Sequence, residues 1–274
     1  MPTPVSEQVR TRTPHSPRAA VEGRDAKVAN GSAPVFDTSA ARRSERAYRR
    51  QVRGWLPMDR TAPILVAGCG SGRMLYTLKK MGFTHLHGVD GNEQRLVLAR
   101  QVLARVVAGD LLTYLDEHAG RFRLIVGLDL VEHLAPDEIP VFLERAHRAL
   151  VPGGRVILRM PNGEGLRAVA SHRPEKEPAF AFAPPALEQL VRERGFANTE
   201  CRETHPPVNG VAGFVSAALW QGLRCCALGR DLVAAGRRRS RVFTSNFLMS
   251  ACAVDATGAA VGGPSPKRSA LPAA

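Results

Sequence analysis

Between residues 62 and 200, short apolar runs alternate with longer stretches whose apolar positions recur every three to four residues. The runs predict strands at 64–67, 85–89, 104–107, 124–128 and 155–160. The longer stretches predict helices at 73–81, 93–103, 136–150 and 185–194. Pro136 suits a first helical turn, and Gly195 closes the last of these helices. Val151-Pro152-Gly153-Gly154 predicts a stop and a turn before the next strand. Two further strands are expected near 197–203 and 242–254, and a basic helix near 40–55 carries Arg42, Arg43, Arg46, Arg49, Arg50 and Arg53. Strands alternating with helices of this length mean an α/β fold with a doubly wound, mostly parallel sheet. Such sheets bind ligands beyond the carboxyl ends of their strands, where the strand order reverses.

Residues 1–38 mix Pro, Ser, Thr and Arg without periodicity and are expected to be a disordered basic tail; 257–274 read the same way. The folded domain is expected over 39–256. The first 30 residues hold no apolar run and do not read as a secretory signal, and no stretch reads as a membrane span. The 274 residues suit one α/β domain, and 44% apolar with only 5% aromatic residues predicts an aliphatic core covered on both sheet faces. Five cysteines without a C-x-x-C, two of them adjacent at Cys225 and Cys226, point to a reducing cytoplasm. The formal charge of +13 has two readings. One is compositional bias; the other is attraction to a membrane surface, a phosphorylated lipid carrier or nucleic acid. Basic residues without interleaved aromatics argue against nucleic acid.

The segment with the most chemistry is Ile64-Leu65-Val66-Ala67-Gly68-Cys69-Gly70-Ser71-Gly72-Arg73. A buried strand enters G-x-G-x-G and then a helix. Glycines let the main chain turn sharply and approach a ligand, and the helix start offers N–H groups. The dinucleotide fingerprint would need glycine where Arg73 stands, so the spacing departs from nicotinamide-dinucleotide binding. Asp90 ends the next strand, 22 residues beyond Gly68, where a carboxylate accepts both ribose hydroxyls of a nucleoside. The alternative is that Asp90 caps the following helix. Asp110 after the third strand has the same two readings, adenine amino acceptor or helix cap, and the Leu111 N–H could meet a ring nitrogen.

Taken together these stretches resemble the class I S-adenosylmethionine (SAM)-dependent methyltransferases, in the small-molecule group with an E-H-L motif. Gly68, Gly70 and Gly72 match the SAM loop, Asp90 the ribose acid and Asp110 the adenine contact. Leu124 to Leu134, ending Asp129-Leu130-Val131-Glu132-His133-Leu134, matches the fourth-strand motif, and Leu150-Val151-Pro152-Gly153-Gly154 the turn before the fifth strand. The resemblance spans roughly residues 60–200. It implies a Rossmann-like, seven-stranded sheet with its last strand antiparallel, here with an added helix before that strand. It also implies SAM as methyl donor, held by Gly68, Cys69, Gly70, Gly72, Asp90, Gly91, Asp110, Leu111, Leu128 and Asp129. One departure matters: the family's acid two residues before the first loop glycine is Val66 here.

The resemblance implies methyl transfer from a sulfonium, where positioning is the main task and a hydroxyl acceptor needs a base. His133, just beyond the fourth strand, is the candidate base; the alternative is that Glu132-His133 only orders the loop. Asp129, Glu132 and His133 resemble the E-x-x-E-H cluster of ubiquinone-pathway O-methyltransferases, where a divalent metal is implied. E-H-L also occurs in metal-free relatives, and no metal is expected here. Tyr76 and Lys80 form a Y-x-x-x-K pair on the wrong helix for dehydrogenase chemistry.

Pro161-Asn162 after the fifth strand resembles methyltransferases of polysaccharide and glycolipid gene clusters, which implies a small-molecule, glycan or glycolipid acceptor. Residues 211–235 are expected to form an inserted amphipathic helix, read either as a lid or as an in-plane membrane helix beside Arg237, Arg238, Arg239 and Arg241. The expected location is the cytoplasm, with peripheral contact at the cytoplasmic membrane face. A second functional class, a catalytically degenerate scaffold on the same fold, stays open because of Val66.

Overall fold

The computed structural model describes residues 26–27, 34–103, 105–128, 130–163, 181–204, 244 and 246–254. Two short strands, β1 (Ala26–Lys27) and β2 (Val35–Phe36), pair antiparallel ahead of helix α1 (Thr38–Val52). They lie inside the stretch expected to be a disordered tail. A side-chain amide holds the second: Gln101 Oε1 accepts from the Phe36 N–H at 2.9 Å and Gln101 Nε2 donates to the Pro34 carbonyl at 2.9 Å. The α1 helix starts because Asp37 Oδ1 accepts the N–H groups of Ser39 and Ala40.

The Rossmann-like unit follows in the order β3 (Ile64–Ala67), α2 (Arg73–Lys80), β4 (Leu86–Asp90), α3 (Glu93–Val102), β5 (Val106–Ala108), α4 (Leu111–Asp116), β6 (Phe122–Gly127), α5 (Glu138–Ala149), β7 (Leu150–Pro161), α6 (Pro184–Glu193), β8 (Phe196–Glu203) and β9 (Asn246–Ala253). The seven-stranded sheet runs β5-β4-β3-β6-β7-β9-β8. Pairs up to β7 are parallel; β9 is antiparallel to both β7 and β8. The chain moves outward from β3 to β5 and then crosses back to β6, so the strand order reverses between β3 and β6. The carboxyl ends of β3, β4 and β6 converge there.

Alternating side chains make two cores. Ile64, Val66, Leu86, Leu124 and Ile157 face α1, α2 and α3. Leu65, Val89, Ile125, Val156 and Leu158 face α4, α5 and α6. β3 is buried at every position, which accounts for its unbroken Ile-Leu-Val-Ala run.

Expected elements recur with shifts of a few residues, and three further features differ. Helix α4 was not anticipated: six residues are too short to show a period. A single 3-10 turn, Val131–His133, occupies part of the expected loop after β6. The Val151-Pro152-Gly153-Gly154 turn lies within β7 rather than before it. Phe122 pairs with Leu150 and Leu124 with Arg155, so the four residues bulge out of a continuous ladder, with Gly153 at φ 69°. Among the described residues no helix is long and apolar enough to cross a membrane. Residues 211–235 and the tail 257–274 lie outside the described residues.

Candidate active site

The three loop glycines all take positive φ, at 65°, 52° and 88° for Gly68, Gly70 and Gly72. What surrounds them differs. A Cβ on Gly68 would come 3.2 Å from Leu130 Cδ1, and one on Gly72 would come 2.9 Å from the Cα of Ala99 in α3. A Cβ on Gly70 would meet no described residue within 4 Å. Gly72 therefore serves the packing of α2 on α3, Gly68 admits the crossing of Leu130, and Gly70 alone presents bare main chain to open space.

Asp90 sits at that opening. Its Oδ2 accepts the Gly70 N–H at 2.8 Å, and its Oδ1 accepts the Asn92 N–H at 2.8 Å. One carboxylate thus fixes the glycine loop and the turn entering α3 relative to each other. The cap of α3 is Asn92, whose Oδ1 accepts from Arg95 N. The neighbouring Cys69 N–H is held by the Val89 carbonyl at 3.0 Å. Its thiol is buried, and burial followed by the nearby Asp90 charge pushes it up to about 12. Gly91, next to Asp90, is exposed.

Asp110 caps α4: its Oδ1 accepts from both Thr113 N and Thr113 Oγ1, at 2.8 and 2.9 Å. Its other oxygen takes no protein hydrogen bond among the described residues. Leu111 is the first residue of that helix, where the N–H has no intrahelical acceptor. Val107, Ala108 and Gly109 precede it as an exposed stretch, with Val107 44% exposed.

Leu128 is buried directly after β6. Asp129 and the Glu132 side chain lie outside the described residues. His133 ends the 3-10 turn, exposed, with its N–H on the Leu130 carbonyl at 3.0 Å. Leu130 was missed as a site residue. In the sequence an apolar residue there signals only core, whereas in the fold it wedges under Gly68 and Gly127. Val66 is buried among the apolar residues facing α1 to α3. Tyr76 and Lys80 lie on α2, the tyrosine ring 5.7 Å from Phe36, with the ammonium over that tyrosine ring.

The profile of a methyltransferase domain matches residues 64–154, the stretch from β3 into β7 that builds this opening. Residues 64–154 thus match a methyltransferase domain, and the fold around them is that of the class I SAM-dependent methyltransferases. SAM is the methyl donor of this family, and the open face of Gly70 beside an anchored carboxylate is a cradle a Cβ would fill. Solved structures with the same fold include a SAM-dependent methyltransferase of Archaeoglobus fulgidus, 18% identical, covering 78% of this chain and 93% of its own, with a TM-score of 0.53. A SAM-dependent methyltransferase of Thermotoga maritima is 16% identical over 78% of this chain and 91% of its own, at 0.55. Phosphoethanolamine N-methyltransferase 2 of Haemonchus contortus, solved with SAM, is 18% identical over 76% of this chain and 52% of its own, at 0.52. No curated protein matches the sequence.

Proposed function

We propose that this methyltransferase transfers its methyl group to an oxygen of a small-molecule, glycan or lipid-linked acceptor. The observation that carries the methyl-transfer reading is the bare Gly70 main chain beside Asp90, at the reversal point of the sheet; the acceptor class rests on the resemblance at Pro161-Asn162. When bound, SAM supplies an electrophilic methyl carbon.

Each residue then has a task. Gly68, Cys69, Gly70 and Gly72 shape the main-chain cradle. Asp90 accepts the ribose hydroxyls on oxygens already oriented by Gly70 and Asn92, with Gly91 flanking it. The unused oxygen of Asp110 accepts from the adenine amino group and the Leu111 N–H meets a ring nitrogen. The exposed apolar stretch from Val107 supports the purine face. Main-chain carbonyls near Gly68 and Leu128 bind the amino-acid end of the donor, because Val66 offers no carboxylate. His133 takes the proton of the acceptor hydroxyl.

Val66 favours a second reading, a degenerate scaffold that no longer turns over. Calorimetry with SAM separates the two: micromolar binding supports the enzyme, and no heat at high micromolar ligand supports the scaffold. Transfer of labelled methyl groups from SAM into cell extract, split into lipid, polysaccharide and small-molecule pools, then identifies the acceptor. Label entering none of the pools would overturn the enzymatic reading. The cytoplasmic setting and peripheral membrane contact through residues 211–241 belong to this proposal.

A further inference from the structure

Helix α1 carries five arginines and one glutamate. At the helical repeat, Arg42, Arg43, Arg46, Arg49 and Arg50, with Arg53 at the C-cap, fall within an arc of about 120°. The opposite side holds what anchors the helix: Ala40, Ala41 and Val52 are buried, and Tyr48 is partly buried. Two of the arginines have acidic neighbours, Arg49 on Glu45 at 2.7 Å and Arg43 on Asp37 at 4.0 Å. Arg42, Arg46, Arg50 and Arg53 are exposed and have no acidic partner among the described residues. Arg49 and Arg50, in the last turn, suit the negative end of the helix dipole, but Arg42 and Arg46 lie away from it, and helix α1 is anchored by its other face.

From this arrangement we infer that the outer face of α1 docks the protein on an anionic phospholipid surface. Guanidinium groups presented on one side of a rigid helix match the negative headgroups of a bilayer. The turn after the helix leaves Met58 91% exposed, an apolar side chain suited to the headgroup boundary. Nucleic acid fits less well. The basic arc holds no aromatic side chain for stacking bases, since Tyr48 lies on the opposite face and Trp55 is buried. The inference involves neither SAM nor His133, so it stands or falls apart from the methyl-transfer reading.

The test is flotation of the full chain with vesicles at physiological ionic strength. One set is pure phosphatidylcholine; the other is about one-third phosphatidylglycerol. Binding is expected to the second set alone. Each of Arg42→Gln, Arg46→Gln and Arg50→Gln should weaken it about fivefold, and the triple variant about a hundredfold. SAM affinity and melting temperature should stay at the parent values, which shows that the variants fold. No binding to the anionic vesicles, or equal binding by parent and triple variant, overturns the proposal. So does displacement from vesicles by a short RNA duplex that binds the parent tighter and the triple variant not at all.

Discussion

The main-chain N–H of Gly70 and a carboxylate oxygen of Asp90 lie 2.8 Å apart, although β4 and the whole of α2 separate them in sequence. A charge-assisted bond of this kind is worth more than a neutral one. It makes the acid a structural member of the loop as well as a candidate ligand.

Asp90→Asn keeps the shape but removes the charge and one acceptor oxygen. Losing a hydrogen bond to a charged group costs about 1.5–3 kcal/mol, so SAM affinity should fall by about 10- to 150-fold. Calorimetry reads this directly, and an unchanged affinity would refute the ribose assignment.

The glycines should separate by phenotype. Gly72→Ala drives a Cβ to 2.9 Å from the Ala99 Cα, where main chain must move, and should cost about 1–3 kcal/mol of stability. That is a fall of about 2–4 °C in melting temperature per kcal/mol. Gly70→Ala meets no described residue and should carry only the left-handed strain of about 1–2 kcal/mol, yet lose more SAM affinity. Reversed phenotypes would mean that the ligand lies against Gly72 instead.

His133→Ala should cut turnover by about 100-fold or more with SAM affinity retained, as expected for loss of a general base. Steady-state kinetics and calorimetry on the same variant decide it. Parallel loss of both would assign His133 to ordering the 3-10 turn.

The Cys69 thiol sets an alkaline limit. Burial and then Asp90 raise it from 9.0 to about 12 in the folded protein. The folded state holds the proton after the unfolded chain has released it. The stabilising effect is therefore complete below about pH 9 and is lost between about 9 and 12, at about 1.4 kcal/mol per pH unit. Denaturation at pH 8 and pH 10.5 should show a steeper loss for the parent than for Cys69→Ala. Equal slopes would mean the thiol ionises at its ordinary value.

Trp55 joins the end of α1's turn to the far edge strand. Its Nε1 donates to Glu200 Oε2 at 2.7 Å, and the Arg202 guanidinium stacks 3.9 Å over its ring. Trp55→Ala should cost about 3–5 kcal/mol of stability. Denaturant midpoints check this, and a loss below about 1 kcal/mol would mean that α1 is held elsewhere.

Much of the fold was legible because its signals are local. The boundaries of β3 and the start of α2 follow from one buried apolar run ending in glycines, and α3 begins behind Asn92 as a helix behind a cap does. Asp110 illustrates the limit. Helix cap and adenine contact are equally compatible with its place in the sequence, and the structure shows one of its oxygens capping α4 while the other is left over. Helix α4 leaves no periodic signature in the sequence, because six residues hold less than two turns.

Sequence alone determined the alternation of strand and helix, the glycine-rich turn between β3 and α2, and the order of the family motifs. Those properties depend on neighbours a few residues away, through side-chain period and backbone sterics. Tertiary structure decided how the described residues surround each loop glycine, that Leu130 fills the room beside the Gly68 Cα, and that Trp55 meets Glu200. Those are distances between segments brought together by sheet order, and no periodicity in a linear chain encodes them.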